Sequence, residues 1–521
     1  MGSSSELPRR PGRAGLDPWL AALLAATALA VCLGLARALW PFTVDDSFIT
    51  LRYARNLAAG AGPNFNPGVT AEGCTTFLWM VLLAAPHALG LDALLFAKGL
   101  GLLATLGLLG ATWGLARELT PFLASGRRLV PPACAALLLA AFPPTAVHAV
   151  SGMETALFAA LLTGLFLLAA RHAGTPGPTG ARGLALLSLA LGLTRPEGNL
   201  AALLVLGTTA ALLPRGPRWT LARASALLYG LPGALYFAWR FAYYGHALPL
   251  PFYVKVWDQA PLAGAPTVLA FLGVMAVHFG ALVLLGLLRF DRRALPALAG
   301  AAGLLACFLF PRPVMAYHWR YLFPVVPLLA ALAARGLAVA ADWLERRPLP
   351  VFARLAAPLL TLVVAASLLS DAPRTVADRL AYARDLERAH VALGRALAPL
   401  ARRAGPAPLV ALSDAGAVPY YSGWRALDLY GLNEPHIALT GSRDPEWVLA
   451  RHPDAVVLVS ADADRYLPFR WSTYEAPILR ACLAHGLIRV ARFTFEPDGY
   501  YLWVMAEPGG AAARAVAGVH P

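Results

Sequence analysis

Residues 43–79 read TVDDSFITLRYARNLAAGAGPNFNPGVTAEGCTTFLW and set two adjacent carboxylates, Asp45 and Asp46, directly after a long apolar run. A carboxylate at such a boundary can take the proton of a hydroxyl while that oxygen attacks an electrophilic carbon. A helix starting at Asp45 puts Asp45, Arg52 and Asn56 on one face, seven and then four residues apart. Phe48, Leu51, Ala54 and Ala58 then form much of the opposite face, suited to lying on lipid. Capping of free helix N–H groups is the plainer role for an acidic residue here, but a cap needs one carboxylate. The turn-rich GAGPNFNPG beyond the helix fixes a path back toward the next apolar stretch.

Further polar groups recur at the ends of later apolar runs. Besides Asn64, Asn66 and Glu72 in the first stretch, His148 precedes SGMET with Glu154, and TRPEG holds Arg195 and Glu197. WRFAYYGHALPLPFYVKVWD contributes Tyr243, Tyr244, His246, Tyr253 and Lys255, and RPVMAYHWRYLFP contributes Arg312, His318, Arg320 and Tyr321. Singly, these fit snorkelling arginines, interfacial histidines and an aromatic belt. As a set gathered at one membrane surface, they point to a site.

The elements that position them follow from composition. Of 521 residues, 58% are hydrophobic and only 14% charged, far from the balance of a soluble chain. Repeated apolar runs of roughly 20 residues mark a polytopic α-helical membrane protein. The net charge of +14 does not indicate nucleic acid, because the arginines cluster in short loops between spans. Lys98 and Lys255 are the lysines, and the five cysteines (Cys32, Cys74, Cys134, Cys307, Cys482) form no metal-binding spacing. Only Cys74 and Cys482 are placed to meet outside the membrane.

Arg9, Arg10 and Arg13 precede the run 18–40, which is long enough to be a retained first helix with a cytoplasmic tail. Residues 76–90 are short, and crossing there would put Arg117, Arg127 and Arg128 outside, against the charge rule. We therefore expect 76–90 to lie in the interface and 93–116 to return to the cytoplasm. Later spans fall near 130–148, 152–170, 183–195, 198–214, 222–241, 266–288, 295–311, 320–341 and 352–370. Cytoplasmic loops then hold Arg171, Arg182, Arg215, Arg289, Arg293, Arg346, Arg347 and Arg354, among others. This makes about eleven transmembrane helices with the C-terminus outside. No internal repeat is visible.

From about residue 371 the character changes. DRLAYARDLERAHVALGRALAPLARR (378–403) reads as an amphipathic helix, followed by the strand-like runs PLVALSD, DAVVLVS, RVARFTF and YYLWVMA. The chain thus divides into a transmembrane catalytic module, 1–370, and an extracytoplasmic soluble α/β domain, 371–521. Residues 41–92 form the first extracytoplasmic loop, with interfacial helices, and the tail after Glu507 is expected to be disordered.

The string from Asp45 to Trp79 resembles the first extracytoplasmic loop of the GT-C superfamily of membrane glycosyltransferases. It is most similar to the branch containing the mycobacterial terminal arabinofuranosyltransferases of the cell wall: DD, RYA-x-NL, G-x-G, NPG and EG stand at that branch's spacing. GMET, RPEG, YYGHALPLPFYVK, RYLFP and DAGAVPYYSGWRALDLYGLNEPH extend the likeness over most of the chain. Cys74 and Pro251 depart from the branch. The resemblance implies a plasma-membrane enzyme of cell-envelope biogenesis. Such an enzyme moves a sugar, with inversion, from a polyprenyl-phosphate donor in the bilayer to an extracytoplasmic glycan or glycolipid acceptor. It implies Asp45 as general base, with Asp46 beside it positioning the acceptor or substituting. Arg320, His318, Lys255 and Arg195 are the donor-phosphate candidates, because Arg and Lys stabilise a departing phosphate. Arg52, Asn56, Glu72, His148, Glu154, Tyr253, Tyr420 and Tyr421 are candidates for contacting substrate, and Asp414, Asp428, Tyr430 and Asn433 lie near the same domain loop. No cofactor is required; a divalent metal bridging carboxylates and phosphate is compatible, though no ligand spacing demands one. The rival readings are a lipid-linked sugar transporter or flippase, an oligosaccharide ligase, and a non-enzymatic membrane scaffold. A transporter would place ionisable groups near mid-bilayer and often shows repeats.

Overall fold

The computed structural model describes residues 16–123, 128–256, 260–311, 314–345, 350–402, 407–496 and 499–517. Arg9, Arg10, Arg13, Arg127, Arg312, Arg346 and Arg347 lie outside them.

The chain opens with α1 (Leu16–Ala38), two short helices α2 (Ser47–Ala58) and α3 (Phe77–Ala88), and the long α4 (Ala93–Glu118). At 12 residues α3 is about 18 Å long, too short to cross a hydrocarbon core. Lys98, near the start of α4, donates to the carbonyls of Trp40 (2.6 Å) and Phe42 (2.8 Å), just past the end of α1. The intervening segment with α2 and α3 therefore leaves and re-enters the helix bundle at the same end.

Next come α5 (Val130–Ala140) and α6 (Pro143–Val150), bent by 67°. The single span expected at 130–148 is broken here. Pro143 and Pro144 lack N–H groups, and Phe142 before them is extended at ψ 108°. Then follow α7 (Thr155–Gly174), α8 (Pro178–Thr194), α9 (Glu197–Leu212), α10 (Arg215–Ser225), α11 (Leu231–Tyr244) and α12 (Leu250–Val256). The bundle closes with α13 (Ala265–Met275), α14 (Ala281–Leu287), α15 (Leu295–Cys307), α16 (Val326–Glu345) and α17 (Pro350–Leu369). Among the described residues, six helices are long and apolar enough to cross a membrane, or seven if the bent pair is one span. The remaining apolar helices are shorter, so the expected eleven crossings would have to draw on them as well.

Past α17, α18 (Ala372–Leu386) and α19 (Ala392–Leu397) lead into a five-stranded sheet. Its order is β2 (Arg425–Asp428), β1 (Leu409–Leu412), β3 (Ala455–Ser460), β5 (Tyr500–Ala506), β4 (Ile488–Glu496). The first three strands run parallel and the last two pair antiparallel. Between them lie α20 (Ala417–Ser422), α21 (Pro435–Thr440), α22 (Pro445–Leu449) and α23 (Glu475–Ala484). One sheet face packs against residues of α22 and α23. The other shares a continuous apolar core with α2, α3 and α19. Phe48, Leu51 and Ala54 are buried in that core, so the α2 face expected to lie on lipid is covered instead, with Phe48 against Tyr420 and Tyr421 of α20. The tail expected to be disordered carries α24 (Ala511–Val516), with Ala512 and Val516 buried in the same core. All five cysteines are free.

Candidate active site

The two leading carboxylates face different ways. Asp46, with Ile49 and Thr50 three and four residues on, lines a cavity of about 180 Å³. Glu154, Arg195, Glu197, Lys255, Arg320 and Tyr321 also line it, with Cys74 and Thr75 from the segment before α3. Arg320 lies 3.6 Å from Asp46 and 3.3 Å from Glu154. Arg195 pairs with Glu197 at 2.6 Å and stands 3.5 Å from Glu154. These groups are slackly joined: Glu154 Oε2, Arg195 Nη1 and Arg320 Nε are buried without a hydrogen-bond partner. Burial alone would raise Glu154, but Arg320 and Arg195 hold it below the usual carboxylate range. Burial raises Asp46 despite Arg320 and Lys255. Among the described residues, Lys255 has no carboxylate within ion-pair distance, and no three His, Cys, Asp or Glu side chains converge to hold a metal.

Asp45 does not line this cavity. It sits in the seam between the first loop and the C-terminal domain, where its Oδ1 accepts from the Ala417 N–H at 2.8 Å. Its own N–H donates to the Tyr382 hydroxyl at 3.2 Å. Gly416 lies so close that a Cβ there would stand 2.2 Å from Asp45 Oδ2. Burial pushes Asp45 up to about 7, although His390 opposes the rise. Beside it, Asp414 Oδ2 accepts from His390 Nε2 (2.8 Å) and from the Tyr500 hydroxyl (2.7 Å).

Several expected contacts fall elsewhere. Arg52 is buried, and its donors end on the carbonyls of Phe65 (2.7 Å), Pro419 and Trp424 (2.6 Å) and on Asn66 Oδ1 (3.0 Å). It ties the first loop to the domain, with four of its five N–H donors spent there. Asn56 likewise donates to Asn64 and Phe65 carbonyls. Tyr420 and Tyr421 pack on Phe48 at 5.4 and 5.3 Å. His148 is fully buried against Tyr317 and Phe323, its Nε2 at 3.0 Å from the His318 carbonyl. His318 itself adopts a left-handed conformation at φ 45°, and its ring leaves the cavity for the neighbourhood of Arg379, Asp371 and Asp378. Tyr253 misses the cavity because α12 presents Phe252 and Lys255, three apart, on the face that lines it.

Glu72 forms a buried pair with Arg240, with Nε at 2.7 Å, and lines a second cavity of about 440 Å³. Burial holds Glu72 up at about 7 in spite of that arginine. Residues of α8, α9 and α11, with exposed Leu203 and Phe237, wall this cavity. Thr75, Pro196 and Phe252 line both cavities, which makes them neighbours. Polar cavity residues outside the expected set include Thr50, Thr75 and Thr76, while Glu197 and Tyr321, named in the sequence without a role, also line it. The helical spacing Asp46, Ile49, Thr50 was the available signal for the first of these.

A family model described as a domain of unknown function (DUF8728) matches residues 381–505. A curated relative, the terminal beta-(1->2)-arabinofuranosyltransferase of Mycobacterium tuberculosis, is 37% identical over 142 residues, covering 27% of this chain. The match spans only 22% of that relative's length. Among solved structures, ArnT from Cupriavidus metallidurans in the apo state superposes with a TM-score of 0.61 at 16% identity, over 97% of this chain and all of that one. The same protein bound to undecaprenyl phosphate gives 0.57 at 14% identity, covering 94% and 98% of the two chains. The archaeal oligosaccharyltransferase AglB from Archaeoglobus fulgidus, in complex with an inhibitory peptide and a dolichol-phosphate, gives 0.51 at 14%, covering 94% of this chain and 74% of that one. The resemblance to GT-C membrane glycosyltransferases read from the first loop is borne out by these comparisons.

Proposed function

We propose that this chain, which shares the GT-C fold, is an inverting glycosyltransferase that takes a sugar from a polyprenyl-phosphate donor. The observation that carries the reading is the cavity where Arg195, Lys255 and Arg320 meet, with buried guanidinium nitrogens lacking hydrogen-bond partners, beside a second cavity walled by the exposed apolar side chains of Leu203 and Phe237. A donor phosphate satisfies those nitrogens, and its prenyl tail runs along the α8, α9 and α11 wall. Undecaprenyl phosphate and dolichol-phosphate in the related structures support that class of ligand.

The chemistry follows from the two carboxylates. An acceptor oxygen bonds to the anomeric carbon as the carbon–phosphate oxygen bond breaks. The phosphate leaves with the electron pair, stabilised by Arg320, Lys255 and Arg195. The hydroxyl proton passes to Asp45, which pairs with no arginine or lysine among the described residues and which burial raises to about 7. Asp46, beside Arg320, lies between base and phosphate and orients the sugar. No step needs a metal, since the cations already face the departing charge. About eleven crossings of an inner or plasma membrane, with the first loop and the C-terminal domain outside, present the acceptor side to the cell envelope.

Cys74, half-buried in the cavity wall, offers the test. In a Cys307→Ala background, a short-chain prenyl phosphate should slow maleimide labelling of Cys74 at least fivefold, and Arg320→Met should abolish that protection. Equal labelling with and without the prenyl phosphate at millimolar concentration would remove the donor assignment.

A further inference from the structure

The C-terminal domain carries a run of aromatic rings that the donor cavity does not use. Phe469 and Trp471 belong to the turn between β3 and α23. Their rings stack 5.8 Å apart with planes within 11°. Trp471 is 42% exposed, an unusual state for so large a ring on a folded domain. On one side Tyr430 meets Trp471 edge-on at 6.2 Å and lies within electrostatic reach of Asp46 and Tyr321 at the cavity. On the other, Phe469 contacts Tyr500 at 5.0 Å, and the Tyr500 hydroxyl holds Asp414. The rings thus form a continuous path from the cavity to Asp414, which lies within electrostatic reach of both Asp45 and Asp46.

Buried polar groups hold this path in place. Asp428, almost wholly enclosed, accepts from the N–H groups of Tyr430, Gly431 and Asn433 and from Asn433 Nδ2. Arg443 donates to the carbonyls of Leu429 and Tyr430. Ser472, fully buried, accepts from Phe469 N–H while its own N–H returns to the Phe469 carbonyl. Ser413, next to Asp414, donates to the buried Glu475, which also accepts from Val459 N–H and the Tyr466 hydroxyl. Burying a carboxylate costs stability unless several donors compensate it, and two such carboxylates here brace the loops bearing these rings. Aromatic faces with a partly exposed carboxylate alongside match a saccharide. The C–H faces of sugar rings lie on aromatic planes, and their hydroxyls donate to carboxylate oxygen.

We propose that Tyr430, Phe469, Trp471 and Asp414 form an acceptor subsite that holds a saccharide chain and leads its terminal hydroxyl to Asp45. This deepens the proposed transferase reading and rests on it for the word acceptor, while the saccharide binding stands apart from it. Of the loop residues named from the sequence, Tyr430 and Asp414 belong to the subsite directly, and Asp428 and Asn433 brace it.

The test uses the full chain in nanodiscs without donor. The probes are tetrasaccharides of arabinofuranose, mannose, glucose and galactose, read by saturation-transfer NMR and by quenching of tryptophan fluorescence. At least one tetrasaccharide should bind, and Trp471→Ala should weaken it tenfold or more. Trp471→Phe should restore most of the binding, and Arg289→Met, at the opposite end of the bundle, should leave it unchanged. Because Trp471 is exposed, its removal should not alter the melting temperature, which separates lost contact from lost fold. No signal from any tetrasaccharide, or equal binding by well-folded Trp471→Ala, would overturn the subsite. If a prenyl phosphate still protects Cys74 in that protein, the donor reading survives the loss of the subsite. If saccharide binds but the prenyl phosphate gives no protection, the domain is a carbohydrate-binding module without the proposed donor chemistry.

Discussion

The two ends of the helix bundle carry ion pairs of opposite character. At one end Arg171 meets Glu118 at 2.9 Å and Arg289 meets Asp342 at 2.7 Å, with the arginines 47% and 37% exposed. Pairs of this kind contribute roughly 0–1 kcal/mol and need no function to explain them. At the other end Arg195, Arg320 and Glu154 are buried, their mutual contacts stretch to 3.3–3.5 Å, and nitrogen and oxygen atoms go unmatched. Charges removed from water without full compensation destabilise a fold. The contrast supports the proposal that the second group is held for a ligand, a phosphate in that reading.

Breaking that comparison is most direct at Arg320. Arg320→Met should lower sugar transfer by about 10²-fold or more, the scale for removing one preorganised donor to developing charge. Arg289→Met, at the opposite end, should leave initial rates within twofold. Assays of both at matched membrane expression decide the matter. Equal losses would mean that the two ends do not differ in the way proposed.

Next in size is Arg52, which is buried as deeply yet bonded through every one of its nitrogens. Arg52→Met takes the donor from the buried Trp424 carbonyl and leaves those of Phe65 and Pro419 to Asn56 and the Gly423 N–H alone, at roughly 1–3 kcal/mol for an unsatisfied group, so a fall in melting temperature of several degrees is expected. Arg171→Met should shift it little. A melt unchanged by Arg52→Met would show that the seam between loop and domain is not held there.

Titration of Asp45 gives a smaller, signed effect. Its folded-state pKa is raised to about 7 from 3.8, so the fold favours its protonated form. That stability is fully present below the unfolded value and lost as pH rises through about 7. Asp45→Asn should therefore melt higher than wild type at pH 8, with the gap closing toward pH 4. Wild-type transfer should fall as pH drops below about 7, because the base must be ionised to accept a proton. Melting and rate profiles from pH 5 to 8.5 read both. The smallest effect is at Gly416, where an alanine methyl would press on Asp45 at 2.2 Å. Gly416→Ala should lower kcat several-fold and leave the donor KM unchanged.

Much of this arrangement was legible in the residue order. Polar groups at the ends of apolar runs marked Asp46, Glu154, Arg195, Lys255 and Arg320, and the structure brings these five together. Four strand-like runs matched strands, while the short β2 lay hidden inside a segment read as a ligand loop. Arg52 could not be read, because its partners Pro419 and Trp424 lie 367 and 372 residues away. The same distance hid the fact that Asp45 faces the C-terminal domain while Asp46 faces the cavity. His318 stood two residues from Arg320, but a left-handed backbone sends their side chains apart. The bend at Phe142 did carry its signal, in the adjacent Pro143 and Pro144.

The most direct measurement is transfer from a panel of synthetic short-chain prenyl-phosphate sugars in detergent, wild type against Asp45→Asn and Asp46→Asn. The account predicts transfer or donor hydrolysis by wild type, its loss by about 10²-fold or more in Asp45→Asn, and normal insertion and purification of both variants. Undiminished turnover by Asp45→Asn would contradict the base assignment. Silence of the wild type across the panel, with donor binding absent too, would contradict the transferase reading and favour a transporter or scaffold.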